Sequence, residues 1–299
     1  MFLTMSTLVV CMGAAFVDDL FTCRADVVPG TSNPAHYERF AGGVARNVAH
    51  HLSNLGCDVE LISHFGTDEA GQWLMHDCDM KSIRYRHSSV SNLPTGRYAA
   101  ILNPDGQLFT AACADSLELA LTPEYLESKV EVLRKASLLM ADCNLSVASI
   151  SWLLDFGHLH QIPLVIEPVS VAKAGKLSGL NLSGVLLITP GEAELESILK
   201  GTTLQSLGIR YVWVRKGKNG SDLFSSDGYA AFPAPEVEVV NTNGAGDAAM
   251  AGWIFGWLGN KTISACILTG HALAGLTLQS KSSVPELTDE FKQTITLHP

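Results

Sequence analysis

Residues 137–167 read SLLMADCNLSVASISWLLDFGHLHQIPLVIE, and they decide the fold class. The apolar runs Ser137–Ala141 and Leu164–Glu167 have the length of buried strands, and Val147–Phe156 between them is predicted as a helix. The alternation continues with a strand at Val185–Ile188, a helix at Glu192–Leu199 and a strand at Tyr211–Arg215. Strands that alternate with helices predict a mainly parallel sheet with helices on both faces, a three-layer α/β/α sandwich.

Further elements flank this stretch on both sides. They are a strand at Leu8–Gly13, a helix at Val44–Leu55 closed by Gly56, a strand at Val59–Phe65, a helix capped by Thr67 and Asp68 that runs to Met80, hairpins around 98–111 and 223–233, and helices at Ala245–Leu258 and Ile263–Leu278. Two segments, about 16–40 and 95–112, do not fit the alternation. We predict that they form a small β-sheet lid within one domain that spans residues 1–299.

Composition excludes several classes of protein. The formal net charge is −10, which argues against a nucleic-acid partner because such a surface needs clustered Lys and Arg. Seven scattered cysteines without a CxxC pair indicate a reducing compartment, so a cytoplasmic location is expected. Residues 1–16 are apolar but lack a basic start, so a buried strand is favoured there over a signal peptide. No apolar stretch is long enough to predict a membrane span.

The strongest chemical signal is the stretch NTNGAGD at 241–247, which precedes the apolar helix AAMAGWIFGWL. Gly244, Ala245 and Gly246 leave backbone N–H groups uncovered at a helix start, and these donors suit a phosphate. Asp247 would lie in the first turn of the helix, where its carboxylate can accept a proton from an attacking hydroxyl. The simpler alternative is a helix start with an acidic residue that favours the helix dipole.

A second signal is the stretch AGGVARN at 41–47. The double glycine, Gly42-Gly43, lets a ligand approach the backbone, and Asn47 can both donate to and accept from a sugar diol. A tight turn with a solvent-facing Asn is the open alternative. Asp18 follows the first strand, where ligands of parallel sheets gather, and it could hold two adjacent hydroxyls.

These elements, in this order, resemble the PfkB (ribokinase-like) family of carbohydrate and nucleoside kinases. The resemblance covers nearly the whole chain, including GTDEAGQWL at 66–74 and RKGKNGSDLF at 215–224. It implies a ribokinase-like fold, ATP as phosphate donor, Mg²⁺ on the ATP phosphates and Asp247 as catalytic base. It also implies a small-molecule substrate held by Asp18, Gly42, Gly43 and Asn47, and nucleotide contacts from Lys216, Gly217, Gly220 and Asn243. Glu194 would reach the metal through water.

Within the family the chain is most similar to pseudouridine kinases, through residues 31–56, 141–146 and 167–177. This likeness implies phosphorylation of the 5′-hydroxyl of pseudouridine, and it adds Asn33, Asn144 and Lys173 as candidates for the nucleoside pocket. Each has a plainer alternative: a turn former before Pro34, a helix cap with Ser146, and a solvated surface cation. The likeness also implies a K⁺-type site near 241–243 and 280–283. A homodimer through the lid is expected because its edge would otherwise be open.

The chain departs from the family pattern at four places. Asn241 replaces the commoner Asp, although pseudouridine kinases often show Asn there. Asn243 stands where a Thr usually precedes GAGD, and Gly191 replaces the Asn of the family's Asn-x-x-Glu element, although Glu194 is kept. Residues 200–210 are too short for the family's usual helix, so either an apolar sheet face is exposed or neighbouring elements fill the gap. Two alternatives stay open: a kinase of ribose or another nucleoside, and a catalytically weak nucleoside-binding relative, which these departures favour.

Overall fold

The computed structural model describes residues 7–297. Its strands are β1 Leu8–Met12, β2 Phe16–Cys23, β3 Ala35–Gly42, β4 Asp58–Ile62, β5 His64–Gly66, β6 Ser89–Ser91, β7 Arg97–Leu102, β8 Leu108–Ala114, β9 Leu138–Asp142, β10 Leu164–Glu167, β11 Leu187–Ile188, β12 Tyr211–Arg215, β13 Ser221–Ser225 and β14 Gly228–Phe232. Its α-helices are α1 Val44–Asn54, α2 Glu69–Met80, α3 Leu117–Ala120, α4 Pro123–Glu127, α5 Val130–Leu133, α6 Val147–His160, α7 Val171–Ala174, α8 Glu192–Leu199, α9 Ala245–Leu258, α10 Ile263–Leu278 and α11 Asp289–Leu297.

The main sheet has eight strands in the order β14-β13-β12-β11-β10-β9-β1-β4. The strands from β12 to β4 run parallel to one another, and only the β12–β13–β14 meander is antiparallel. Their carboxyl ends therefore meet at one edge of the sheet, which is where ligands bind in open parallel sheets.

Side chains of β1 alternate between two apolar cores, as the period of a strand requires. Val9 and Cys11 pack with residues of α1, α2, α9 and α10, whereas Val10 and Met12 pack with residues of α3 to α6 and α8. Burial on both faces explains why the strand is a continuous apolar run. The predicted three-layer α/β/α sandwich is confirmed.

The lid is a separate four-stranded sheet in the order β3-β2-β7-β8. Strand β2 pairs with β3 antiparallel and with β7 parallel, and the β7–β8 hairpin turns at Asn103–Gly106. The Gly106 N–H donates to the Asn103 carbonyl, and Gly106 has a φ of 83°, as the turn chemistry predicts. The two segments that break the helix–strand alternation thus pair with each other.

The shortened connection between α8 and β12 forms a 3-10 turn at Leu204–Leu207 instead of a helix. Leu204, Leu207 and Ile209 are half-buried and pack against the apolar core on that face. Of the two alternatives that the sequence left open, the filled gap is the one that the structure has. The sheet beneath stays covered, with Val212 and Val214 buried.

Several predicted boundaries differ from the structure for local reasons. The strand predicted at Val59–Phe65 breaks at Ser63, whose N–H donates to the Ser88 hydroxyl rather than to the sheet. Strand β11 is shorter than its apolar run, and α6 continues to His160. The short helices α3 to α5 and the terminal α11 were not predicted.

The signal-peptide alternative concerns a stretch whose first six residues lie outside the described residues, and the single domain over 1–299 stays a prediction. Among residues 7–297, no helix has the length and apolarity that a bilayer crossing requires.

Candidate active site

Charged residues end three of the parallel strands at the ligand-binding edge. Asp142 ends β9, Glu167 ends β10 and Arg215 ends β12. Asp142 and Glu167 are almost fully buried, and Arg215 bonds to Glu167 through Nη2 and Oε1 at 2.6 Å. Buried charges are expensive unless they are paired or hydrogen-bonded, so a row of them indicates a site rather than a packed core.

Asp142 holds three backbone segments of the site together. Its Oδ2 accepts from the Ala14 N–H at 2.9 Å and from the Ala45 N–H at 3.1 Å, while Oδ1 accepts from the Asn144 backbone and side chain. Burial raises the pKa of Asp142, and these donors oppose the rise. The carboxylate therefore fixes the turn after β1 against the start of α1.

The double glycine permits two close approaches at the start of α1. Gly43 has a φ of 93°, and a Cβ on it would lie 2.4 Å from the Ala14 carbonyl oxygen. A Cβ on Gly42 would lie 2.1 Å from Oδ2 of Asp18, so only glycine leaves that carboxylate in place. Gly42, Gly43 and Asp18, the predicted sugar-binding residues, are thus adjacent.

Asp247 lies in the first turn of α9 and is 9% exposed. The Asn47 side-chain Nδ2 donates to its Oδ2 at 2.8 Å, across 200 residues of sequence. Within residues 7–297, the N–H groups of Gly246 and Asp247 have no hydrogen-bond acceptor, so the tip of α9 keeps free donors. The candidate base Asp247, the candidate sugar ligand Asn47 and the free N–H donors of α9 therefore lie next to one another.

Two carboxyl groups of the site share an unusual protonation behaviour. Burial raises the pKa of Asp247 to about 7. The hydrogen bond from Asn47 and the positive charge of Arg215 lower this pKa, whereas the negative charge of Glu167 raises it further. Burial also raises the pKa of Asp18 to about 7, opposed by the positive charge of Arg46. A base with a pKa near neutrality is suited to accept a proton at physiological pH.

Neighbouring acids on β2 point to opposite faces of the lid. Asp18 lies beside Gly42, whereas Asp19 accepts hydrogen bonds from Tyr37, Arg39 and Arg97. Burial alone would raise the pKa of Asp19, but the bonds from Tyr37 and Arg39 outweigh it and hold the pKa below its ordinary value.

Arg39 carries this network from the lid to the body of the protein. Its Nη1 also contacts Glu69 at the start of α2, at 3.0 Å. One side of β2 therefore belongs to the cleft, and the other side attaches the lid to α2.

The three weaker nucleoside candidates have different surroundings. Asn144 is buried and bonds to both Asp142 and Lys173, so it is not a helix cap; Ser146 caps α6 alone. Lys173 donates to the Asn144 side chain rather than standing free in solvent. Asn33 uses its side chain to close a turn in its own loop, bonding Val28 and Thr31, which agrees with the turn-forming alternative.

The predicted nucleotide-side residues lie on the loops after β12 and before α9. Gly217 and Gly220 have positive φ, and a Cβ on Gly220 would lie 2.1 Å from the Phe232 carbonyl oxygen. Lys216 pairs with Asp222 at 2.7 Å, a bond that raises the pKa of Lys216. The Asn243 N–H bonds to the Asn241 side chain, whose amide in turn donates to the Lys281 carbonyl.

Glu194 is the one predicted metal contact. Its Oε2 accepts from the Gly191 N–H at 2.7 Å, which closes the amino end of α8. No group of three or more His, Cys, Asp or Glu side chains arranged for a metal occurs among the described residues. Mg²⁺ in kinases is held by few carboxylates together with substrate phosphates, so Glu194 fits a metal that arrives with the nucleotide.

A sequence model described as pfkB family carbohydrate kinase matches residues 6–289. The chain belongs to the pfkB family. This PfkB kinase is 26% identical over 296 residues to pseudouridine kinase of Escherichia coli, covering 94% of the chain and 93% of the relative. It is 24% identical over 310 residues to ribokinase of Staphylococcus aureus, covering 97% and 100%. The solved carbohydrate kinase of Agrobacterium tumefaciens superposes with a TM-score of 0.85 at 26% identity and covers 97% of both chains.

The family assignment fixes the class of chemistry. The PfkB kinase is a phosphotransferase that acts on an alcohol group, as the sequence predicts. ATP is the donor typical of the family. Three residues of the site were not singled out from the sequence as candidates: Asp142, Glu167 and Arg215. The signal was present, because each ends or follows a predicted strand at the edge where ligands bind.

Proposed function

We propose that this PfkB kinase transfers the terminal phosphate of ATP to the 5′-hydroxyl of pseudouridine, giving pseudouridine 5′-phosphate and ADP. The observation that carries the proposal is the 2.8 Å bond between Asn47 and Asp247. It joins the sugar-binding end of α1 to a carboxylate at the amide-rich tip of α9. Similarity to a pseudouridine kinase over almost the full length supports this choice of nucleoside.

In the proposed reaction, Asp18, Asn47 and the backbone at Gly42-Gly43 hold the ribose hydroxyls. The 5′-hydroxyl oxygen attacks the terminal phosphorus while its proton passes to Asp247, and the bond from phosphorus to the bridging oxygen breaks as ADP leaves. The N–H groups of Gly244, Gly246 and Asp247 stabilise the negative charge of the transferred group. The Ala245 N–H, which the sequence also suggested, donates instead to the Thr242 carbonyl at 3.4 Å. Bound Mg²⁺ would neutralise phosphate charge, with Glu194 holding one of its waters.

The remaining candidates take supporting roles in the proposal. Asn144 and Lys173 contact the uracil ring of the nucleoside, a role supported by the hydrogen bond between their side chains beside Asp142. Asn33 has the least support because its amide is engaged in its own turn. The ATP-binding part of the cleft is lined by Lys216, Gly217, Gly220 and Asn243.

A coupled ADP-release assay with ribose, uridine, adenosine and pseudouridine tests the substrate. Preferred turnover of pseudouridine supports the proposal, and turnover of ribose without pseudouridine selects the second candidate, which the ribokinase similarity favours. Binding of ATP without phosphate transfer to any acceptor would select a catalytically weak relative, as Gly191 and Asn243 suggest. Asp247→Asn isolates the base, with Asp289→Asn as the matched control because Asp289 is an exposed first-turn acid of α11.

We also propose a monovalent-cation site where Gly244 packs against Ser283. A Cβ on Gly244 would lie 2.5 Å from the Ser283 carbonyl oxygen, so the 280–283 loop directly supports the tip of α9. Replacing K⁺ with tetramethylammonium should lower the transfer rate. An unchanged rate would remove the cation from the proposal.

A homodimer through the lid is the proposed assembly, in a cytoplasmic protein. Strand β8 forms one edge of the lid sheet, and all seven of its residues are exposed, Leu108 and Phe109 among them. An exposed apolar edge strand needs a cover. Sedimentation of the protein and of Phe109→Lys tests it: a dimer that the substitution dissociates supports the lid interface, and a monomeric protein refutes it.

A further inference from the structure

Arg215 packs directly on the backbone at the tip of α9. A Cβ on Gly246 would lie 2.5 Å from Nη1 of Arg215, so the guanidinium lies beside the free N–H groups of the anion-binding turn. We propose that Arg215 binds the phosphoryl group during transfer and is a catalytic residue of this kinase. The proposal rests on the proposed phosphate transfer and adds to it a side-chain cation that the sequence analysis did not identify.

Glu167 fixes the position of the Arg215 guanidinium. Arg215 Nη2 donates to Glu167 Oε1 at 2.6 Å, and the carboxylate itself accepts from the Thr189 hydroxyl and from the Val169 N–H. Glu167 is 3% exposed, so it has little freedom to move. A cation held in one orientation before the reaction stabilises developing charge without the cost of reorganising.

The remaining donors of Arg215 are available to a ligand. Within residues 7–297, Nε and Nη1 make no hydrogen bond, and the side chain is 21% exposed. The pair with Glu167 joins one guanidinium nitrogen to one carboxylate oxygen, so it is not the bidentate pair that a purely structural Arg favours. The free Nη1 is the guanidinium atom nearest to Gly246, which is where the transferred phosphate would be.

Gly191 leaves room for a phosphate beside Arg215. Residues 191 and 215 are bridge partners, and the Arg215 N–H donates to the Pro190 carbonyl at 2.8 Å. A Cβ on Gly191 would meet nothing closer than Glu194 Oε2 at 3.7 Å, so the backbone at 191 is not closely covered on that side. The amino ends of α8 and α9 therefore both adjoin Arg215.

The step itself leaves Arg215 chemically unchanged. The acceptor oxygen bonds to phosphorus, its proton goes to Asp247, and the electrons of the breaking bond leave with ADP. Throughout, Arg215 donates hydrogen bonds to the non-bridging oxygens of the moving group and transfers no proton.

Arg215→Gln tests the proposal, with Arg215→Lys as the conservative variant. Arg210→Gln is the matched control because Arg210 directly precedes the opposite end of β12, where its guanidinium stacks on Trp257 at 5.5 Å. Rates are compared on the alkaline plateau, since Arg215 also lowers the pKa of Asp247. Removing one preorganised donor costs about 10²- to 10³-fold in kcat. We expect that loss for Gln with little change in the nucleoside KM, partial recovery for Lys, and a kcat within about twofold of the unmodified protein for Arg210→Gln, whose site lies away from the chemistry.

A binding measurement separates this proposal from the proposed function. Calorimetry without nucleoside should show that Arg215→Gln weakens ATP by about tenfold, the value of one charged hydrogen bond, while ADP binding is unchanged. Equal weakening of ATP and ADP, or a kcat for Arg215→Gln near that of the unmodified protein, would overturn the role of Arg215. If the unmodified protein phosphorylates no acceptor, the proposed function fails, and the ATP–ADP comparison still decides whether Arg215 binds the terminal phosphate.

Discussion

Asp247→Asn should stabilise the protein at pH 8 while removing its activity. Burial raises the pKa of Asp247 from 3.8 to about 7, so the folded protein holds this carboxylate ionised at a cost. At 1.36 kcal/mol per pKa unit, the full shift corresponds to about 4 kcal/mol above pH 7. The asparagine cannot ionise and still offers an oxygen to the Asn47 amide. The folded variant therefore escapes this cost.

The sign of the effect fixes how it depends on pH. Between pH 4 and 7 the folded state keeps the proton that the unfolded state has released, so the native protein loses stability as the pH rises through this window. The advantage of Asp247→Asn should grow by about 3 kcal/mol between pH 5 and pH 8. Acceptor phosphorylation should fall by about 10²- to 10⁴-fold, the usual contribution of a general base.

Urea unfolding at the two pH values, with ADP release measured on the same samples, checks both halves of the prediction. Asp289→Asn, an exposed first-turn acid, should change neither quantity by more than about 0.5 kcal/mol or its equivalent in rate. The reasoning is refuted if Asp247→Asn is no more stable than the native chain at pH 8, or if its advantage is the same at pH 5. Near-normal turnover would refute the base assignment separately.

Three further predictions concern other parts of the site. The native kcat/KM should rise about tenfold per pH unit below pH 7 and level off above it, since the base must be unprotonated; a flat profile from pH 5.5 to 8.5 would contradict the role of Asp247. Gly43→Ala should lower the unfolding free energy by about 2 kcal/mol or more and abolish turnover, because φ at 43 is 93° and the methyl group would meet the Ala14 carbonyl. Gly30→Ala is the control for backbone strain alone, because Gly30 has a φ of 78° but a Cβ there would meet no neighbouring atom. His51→Gln should make the protein less sensitive to acid. Burial lowers the pKa of His51 to about 4, so the unfolding free energy of the native chain falls by about 2 kcal/mol between pH 6.5 and 5. The variant should keep this free energy, which urea unfolding at the two pH values would show.

The sequence predicted most helices and strands because each has a strong local pattern. Helices α8, α9 and α10 and strands β10 and β12 begin and end where periodicity and capping residues place them. The limits of the lid strands were harder to see. Strand β2 carries two acids and β3 is largely exposed, so neither shows the alternation of a half-buried strand. The short helices α3 to α5 depend on tertiary packing rather than on their own length.

The site divides in a similar way. Asp247, Gly43 and Asn47 were predicted because glycine-rich helix starts are visible in a sequence, and the structure brings Asn47 and Asp247 into contact. Asp142, Glu167 and Arg215 are single charged residues at strand ends, and nothing local distinguishes them from charged residues at the ends of other strands. Only the parallel register of β9, β10 and β12 brings them to one edge of the sheet. Asn33 shows the converse: a plausible ligand by position whose amide is engaged in its own loop.

The opposite orientation of Asp18 and Asp19 couples ligand binding to the attachment of the lid. Successive residues of a strand cannot turn independently, so a shift of β2 that breaks the contact between Arg39 and Glu69 also moves Asp18 away from Gly42, where the proposed sugar site lies. Glu69 is 71% exposed, and such pairs weaken as salt screens them. With Asp18 as the proposed acceptor ligand, ionic strength would thereby change acceptor affinity through a contact outside the cleft.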